Sequence, residues 1–152
     1  MIKIYLSLTA MKILTDYNLS KLKENSMKNR VTLRQMSFNG ESYLWAYHYD
    51  KNDFINYPYS YYLFVPKSNE KLKVRVYFKR YAPNMNLNIY SENGTVCLYN
   101  GSKIILNLCR PFFARQVIEY IFSYCCNKTD VGEIEIQDGD AILEKLGYTD
   151  FF

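Results

Sequence analysis

The chain has 152 residues, a mass of 18.1 kDa, 49% hydrophobic and 22% charged residues, and a formal net charge of +4. That is enough chain for one domain with a real core, and it excludes a disordered tail, a collagen-like repeat and a disulfide-stapled miniprotein. A single domain over residues 1–152 is expected, with residues 1–26 a peripheral extension, or a stretch upstream of a true start at Met11 or Met27.

No run approaches 18 continuous apolar residues, so no transmembrane helix is expected. The apolar run from Ile4 is interrupted by Ser7, Thr9 and Lys12, which argues against a secretory leader. Cys97, Cys109, Cys125 and Cys126 form no CxxC pair and no zinc spacing, so reduced thiols and a cytoplasmic setting are expected. Asn, Lys, Ile, Tyr and Phe supply 64 of the 152 residues. That bias fits AT-rich codons, as in a phage, a mobile element or a low-GC bacterium.

In chain order, Ile2, Ile4, Leu6 and Leu8 alternate with polar or aromatic residues as in a strand, and Met11–Ser26 reads as a short N-terminal helix. From Val31 the period is two. Val31–Phe38 and Glu41–Tyr49 flank Asn39-Gly40, a sequence suited to a type I′ hairpin because both central residues need positive φ. A polar loop, Asp50–Pro58, leads to a third strand, Tyr59–Val65. Leu72–Tyr81 alternates most cleanly: Leu72, Val74, Val76 and Phe78 on one side, Lys73, Arg75, Tyr77 and Lys79 on the other. Strands at Leu87–Tyr90, Thr95–Tyr99 and Lys103–Leu108 are set off by Asn93-Gly94 and Asn100-Gly101.

At Pro111 the period changes. Pro suits the first turn of a helix, and Phe113, Val117, Ile118, Ile121 and Cys125 recur at helical spacing, which predicts a helix over residues 111–126. A short strand holding Ile134 and Ile136 follows, then a turn at Asp138-Gly139. A short C-terminal helix, Ala141–Leu146, is expected to be capped by Asp140 and ended by Gly147. The expected fold class is therefore α+β: an antiparallel, mostly meander β-sheet packed against one main C-terminal helix, with a short N-terminal helix and a short C-terminal helix. Leu72, Val74, Val76, Phe78, Ile89, Val96, Leu98, Ile105, Val117, Ile118 and Ile121 are its expected core.

Charge is unevenly spread. Residues 1–126 carry 17 basic and 8 acidic side chains, net +9, whereas residues 127–152 carry 2 and 7, net −5. The sharpest basic cluster is Lys71, Lys73, Arg75, Lys79 and Arg80. It has three readings: a solvated strand face, a surface against which the acidic tail folds, or a docking site for an anion. With Tyr77 interleaved, the third becomes a single-stranded nucleic-acid site, where phosphates meet cations and bases stack on rings. Val74–Phe78 lacks the glycine of the RNP1 pattern, however, and a pI near 8.8 is below that of strongly basic domains.

Chemistry for catalysis is sparse. His48 is the only histidine and brings no nucleophile at its alternation partners Leu44 and Ala46. Glu133 with Glu135, and Asp138 with Asp140, are the available carboxylate pairs, read as a solvated acidic edge. No phosphate loop, nucleophile elbow or metal motif is found, so no enzyme, cofactor or metal is expected. What remains is an interaction module binding another protein, of inhibitor or immunity type, through Tyr43, Trp45, Tyr47, Tyr49, Tyr59 and Tyr61, with the acidic tail as a second element. Nucleic acid is the alternative partner, through Lys71, Lys73, Arg75, Tyr77, Lys79 and Arg80, and a free sheet edge would serve a homodimer.

Overall fold

The computed structural model describes residues 32–49, 59–82, 87–88, 90 and 94–151. The expected N-terminal strand and helix, the loop 50–58 and Ile89 lie outside the described residues. Leu33–Phe152 form one compact unit.

Ten strands and two helices occur among the described residues: β1 (Arg34–Phe38), β2 (Glu41–Tyr49), β3 (Ser60–Pro66), β4 (Leu72–Phe78), β5 (Tyr81–Ala82), β6 (Leu87–Asn88), β7 (Thr95–Tyr99), β8 (Ser102–Leu106), α1 (Pro111–Tyr124), β9 (Gly132–Ile136), α2 (Gly139–Lys145) and β10 (Tyr148–Thr149). The class is α+β. The expected single meander is corrected in its course. Strands β1 to β4 do run as an antiparallel meander, but β9 then adds to β4 in parallel, giving a mixed sheet of order β1-β2-β3-β4-β9. The β7–β8 hairpin leaves that sheet and pairs with β10 instead, while β5 and β6 form a two-residue pair.

The turns follow from their residues. Asn39 and Gly40 both have positive φ (51° and 75°), as do Asn100 and Gly101 (50° and 84°), the geometry a two-residue type I′ hairpin needs. Helix α1 opens on Pro111 without a side-chain cap and ends at Tyr124, two residues short of expectation, where Cys125 and Cys126 both donate backbone N–H to the carbonyl of Ile121. Helix α2 starts two residues earlier than expected. Its cap is Asp138, which accepts from the Ala141 N–H at 3.0 Å, so Asp140 is released for other partners.

The core forms where α1 meets residues of both sheets. Val117, Ile118 and Ile121 are fully buried, each contributing about 1.5–3 kcal/mol of burial. Phe122 stacks on Tyr43 of the large sheet, and Phe113 meets Tyr148 of the small one edge-on. Leu72, Val74, Val76 and Phe78 are buried as expected. In β7 and β8 the expected phase is inverted. Thr95, Cys97 and Leu106 are the buried positions, Val96 and Leu98 are only partly covered, and Ile105 is 63% exposed. Both faces of this hairpin carry apolar side chains, so alternation alone does not choose between them, and a one-residue shift exchanges the whole set.

Candidate functional site

Pairing register divides the expected tyrosine surface between two faces. Trp45 lies opposite Phe64, Phe64 opposite Val74, and Val74 opposite Ile134, which defines the face turned to α1. Tyr43, Trp45 and Tyr47 share that face. Tyr43 and Trp45 are buried, and Tyr47 is half-buried, donating its hydroxyl to the Tyr90 carbonyl at 2.5 Å. Tyr62, which closes the Tyr43–Tyr62 region expected to bind a partner, is instead fully buried there and donates to the Leu108 carbonyl at 2.6 Å. Burial pushes the Tyr47 and Tyr62 phenols far above the usual tyrosine range. Tyr43 and Trp45 are thus corrected from surface to core. A signal for this was present: in Tyr43–Tyr47 the bulky rings fall on odd positions, with Leu44 and Ala46 between them.

The opposite face gathers a different set. Tyr61 sits across from His48 on β2 and from Tyr77 on β4. The rings form a row: His48 to Tyr61 at 5.0 Å, Tyr61 to Tyr77 at 5.5 Å, and Tyr77 to Tyr59 at 5.5 Å. All four are partly solvent-accessible. Such spacings are those of ring pairs that hold one another. Burial raises the Tyr61 and Tyr77 phenols above the ordinary value, with Glu135 adding to the rise at Tyr77, so both stay neutral hydroxyls at physiological pH. Tyr49 lies at the end of β2, paired with Ser60 and partly buried.

The basic strand borders this row, and the acidic tail lies along it. Parallel pairing sets Lys73 opposite Glu133 and Arg75 opposite Glu135. Arg75 Nη1 meets Glu133 at 3.1 Å, the Tyr77 hydroxyl donates to Glu135 at 3.2 Å, and Lys79 Nζ donates to Gln137 at 2.7 Å. Arg80 bonds Glu144 at 2.6 Å while its guanidinium covers the Phe151 ring at 4.1 Å. Asp140 completes the junction, accepting from the Lys79 backbone N–H at 2.9 Å and from the Tyr90 hydroxyl at 2.6 Å. Of the three readings of the cluster, the tail folding onto it describes these contacts. Lys71 and Lys73 remain exposed.

Pairing begins at the Gly132 N–H, which donates to the Lys71 carbonyl at 3.0 Å. Next to it, the Asn69 amide binds the carbonyls of Lys128 and Asp130, fixing the approach to β9. The ion pair runs diagonally across this ladder, Arg75 reaching Glu133 while its register partner Glu135 accepts from Tyr77.

His48 belongs to the ring row, Glu133 and Glu135 are engaged by the basic strand, and among the described residues no cluster of three or more His, Cys, Asp or Glu could hold a metal. No helix among the described residues is long and apolar enough to cross a membrane. No protein-family model matches the chain, and neither a curated protein nor a solved structure is significantly similar to it.

Proposed function

We propose that the protein is a non-catalytic binding module whose partner is another protein, engaged through the outward face of the five-stranded sheet. The observation that carries this reading is the His48–Tyr61–Tyr77–Tyr59 row flanked by matched charges of both signs. Rings that present area at low entropy cost, with paired charges at their border, are the ingredients of protein interfaces. Phosphate is a poorer fit. Glu133 and Glu135 stand among the cations, so an approaching polyanion meets repulsion as well as attraction. The wider reading, a cytoplasmic accessory protein of inhibitor or immunity type from a phage or mobile element, rests on composition and missing catalytic chemistry.

Capture with immobilised protein tests the proposal, read against a Tyr61→Ser, Tyr77→Ser double variant. A stoichiometric protein partner is expected to bind the native chain and to bind the variant at least about 30-fold more weakly, the size of one interface hot spot. Labelled single-stranded RNA and DNA run alongside. A shift that declines steeply with salt, unchanged in the double variant, overturns the proposal in favour of the Lys71–Arg80 strand.

A further inference from the structure

A second surface feature, separate from the outward sheet face, lies where α1 approaches the end of β7. Tyr99 from β7, Glu119, Tyr120 and Tyr124 from α1, and Leu146 just after α2 line a hollow of about 290 Å³. That is close to the lower end of the range for small-molecule pockets. Gln116 and Ser123 complete the lining, and no Lys or Arg takes part.

The walls are held in place by contacts of their own. Tyr99 stacks on buried Tyr148 at 4.6 Å, and the Tyr148 hydroxyl is hydrogen-bonded to Gln116. Tyr120 and Tyr124, one helical turn apart, pack at 4.9 Å with their planes 45° apart, so they form an angled corner. Tyr124 is 77% exposed, so its ring is accessible to a ligand. Glu119 places a carboxylate at the edge. One of its oxygens accepts from Arg115 at 3.2 Å, and the Arg115 guanidinium is drawn towards the Phe38 ring, 5.0 Å away, instead of into the hollow.

We propose that this hollow binds a quaternary ammonium group, with Tyr99, Tyr120 and Tyr124 as the aromatic walls and Glu119 as the counter-charge. Ring faces attract a cation that cannot be hydrogen-bonded, and a methylated ammonium is desolvated cheaply enough to enter. A neutral group of the same shape lacks that attraction, and an anion finds no Lys or Arg in the lining to hold it. The ammonium is either a free small molecule or the head of a methylated lysine in a peptide, two sources of one chemistry.

The test titrates the full chain with choline, with its neutral isostere 3,3-dimethylbutanol, and with a peptide carrying trimethyllysine, following tyrosine ring resonances by NMR. Saturable shifts confined to Tyr99, Tyr120 and Tyr124 are expected with the ammonium probes. Binding is expected to fall about tenfold in Tyr124→Leu and in Glu119→Gln, while the neutral isostere binds far more weakly. Because Tyr124 is exposed, its variant keeps the fold, which the unshifted core resonances verify. Tighter binding of the peptide than of choline assigns the site to a protein ligand, and the reverse assigns it to a free molecule. Equal affinity for choline and its isostere, or no shifts with any ammonium probe at millimolar concentration, overturns the proposal. Neither result depends on whether the outward sheet face binds a protein.

Discussion

Trp45→Ala is expected to cost about 3–5 kcal/mol, the range for removing a large ring from a packed interior. Trp45 is 1% exposed, lies opposite Phe64 in the sheet, meets Tyr62 edge-on at 6.1 Å and carries the Arg34 guanidinium 4.3 Å above its ring. Alanine would leave a hole between β2, β3 and the α1 layer that surrounding rings cannot refill without leaving their own pairs. Since a domain of this size is stable by about 5–15 kcal/mol in total, the variant should lose a large share of its margin. Denaturant unfolding followed by fluorescence of the native chain, and by circular dichroism of both, measures the difference. Ile105→Ala, at the 63% exposed position of β8, is the internal control and should change stability by no more than about 0.5 kcal/mol. If the two variants behaved alike, the assignment of inner and outer faces would be wrong.

Gly139→Val is the second substitution with a large expected effect. Gly139 opens α2 directly against the end of β4. A Cβ placed there would stand 2.6 Å from the Tyr77 carbonyl oxygen and 2.7 Å from the ring of fully buried Phe78. Neither neighbour is the loose end of a flexible chain, so the helix start has to move. The displacement would carry away Asp138, which caps the helix, and Asp140, which holds both the Lys79 backbone and the Tyr90 hydroxyl. A loss of at least about 1–3 kcal/mol is expected from overpacking alone, and more where the Asp140 bonds fail with it. Amide exchange should show α2 opening well before the large sheet does.

Much of the local structure was legible because local chemistry determines it. The two described Asn-Gly hairpins need residues that tolerate positive φ, and the sequence supplies them at 39–40 and 100–101. Strand β4 is apolar on alternate positions only, so its inner face could be read directly, and the switch to helical spacing at Pro111 located α1. Three features were hidden for physical reasons. Apolar side chains on both sides of β7 and β8 left their phase undetermined until packing chose it. Tyrosine serves equally in a core and on a surface, so the Tyr43–Tyr61 stretch could not be divided by residue type, only by the alternation of bulk. The β4–β9 pair joins residues about 60 positions apart, and no local preference specifies a parallel neighbour at that distance.

That last pair is what changes the reading of the surface. Had the acidic tail stayed in solvent, the Lys71–Arg80 strand would be an open cationic face and nucleic acid would be its natural ligand. With Glu133, Glu135 and Glu144 placed among those cations, the ring row becomes the stronger candidate. Backbone NMR tests this arrangement most directly. Nuclear Overhauser contacts should link Val74 with Ile134 and Val76 with Ile136 in a parallel ladder, with the Gly132 amide protected by its bond to the Lys71 carbonyl. Contacts that run antiparallel, or a solvent-exchanging 132–136 segment with no cross-strand contact to 72–76, would contradict the account.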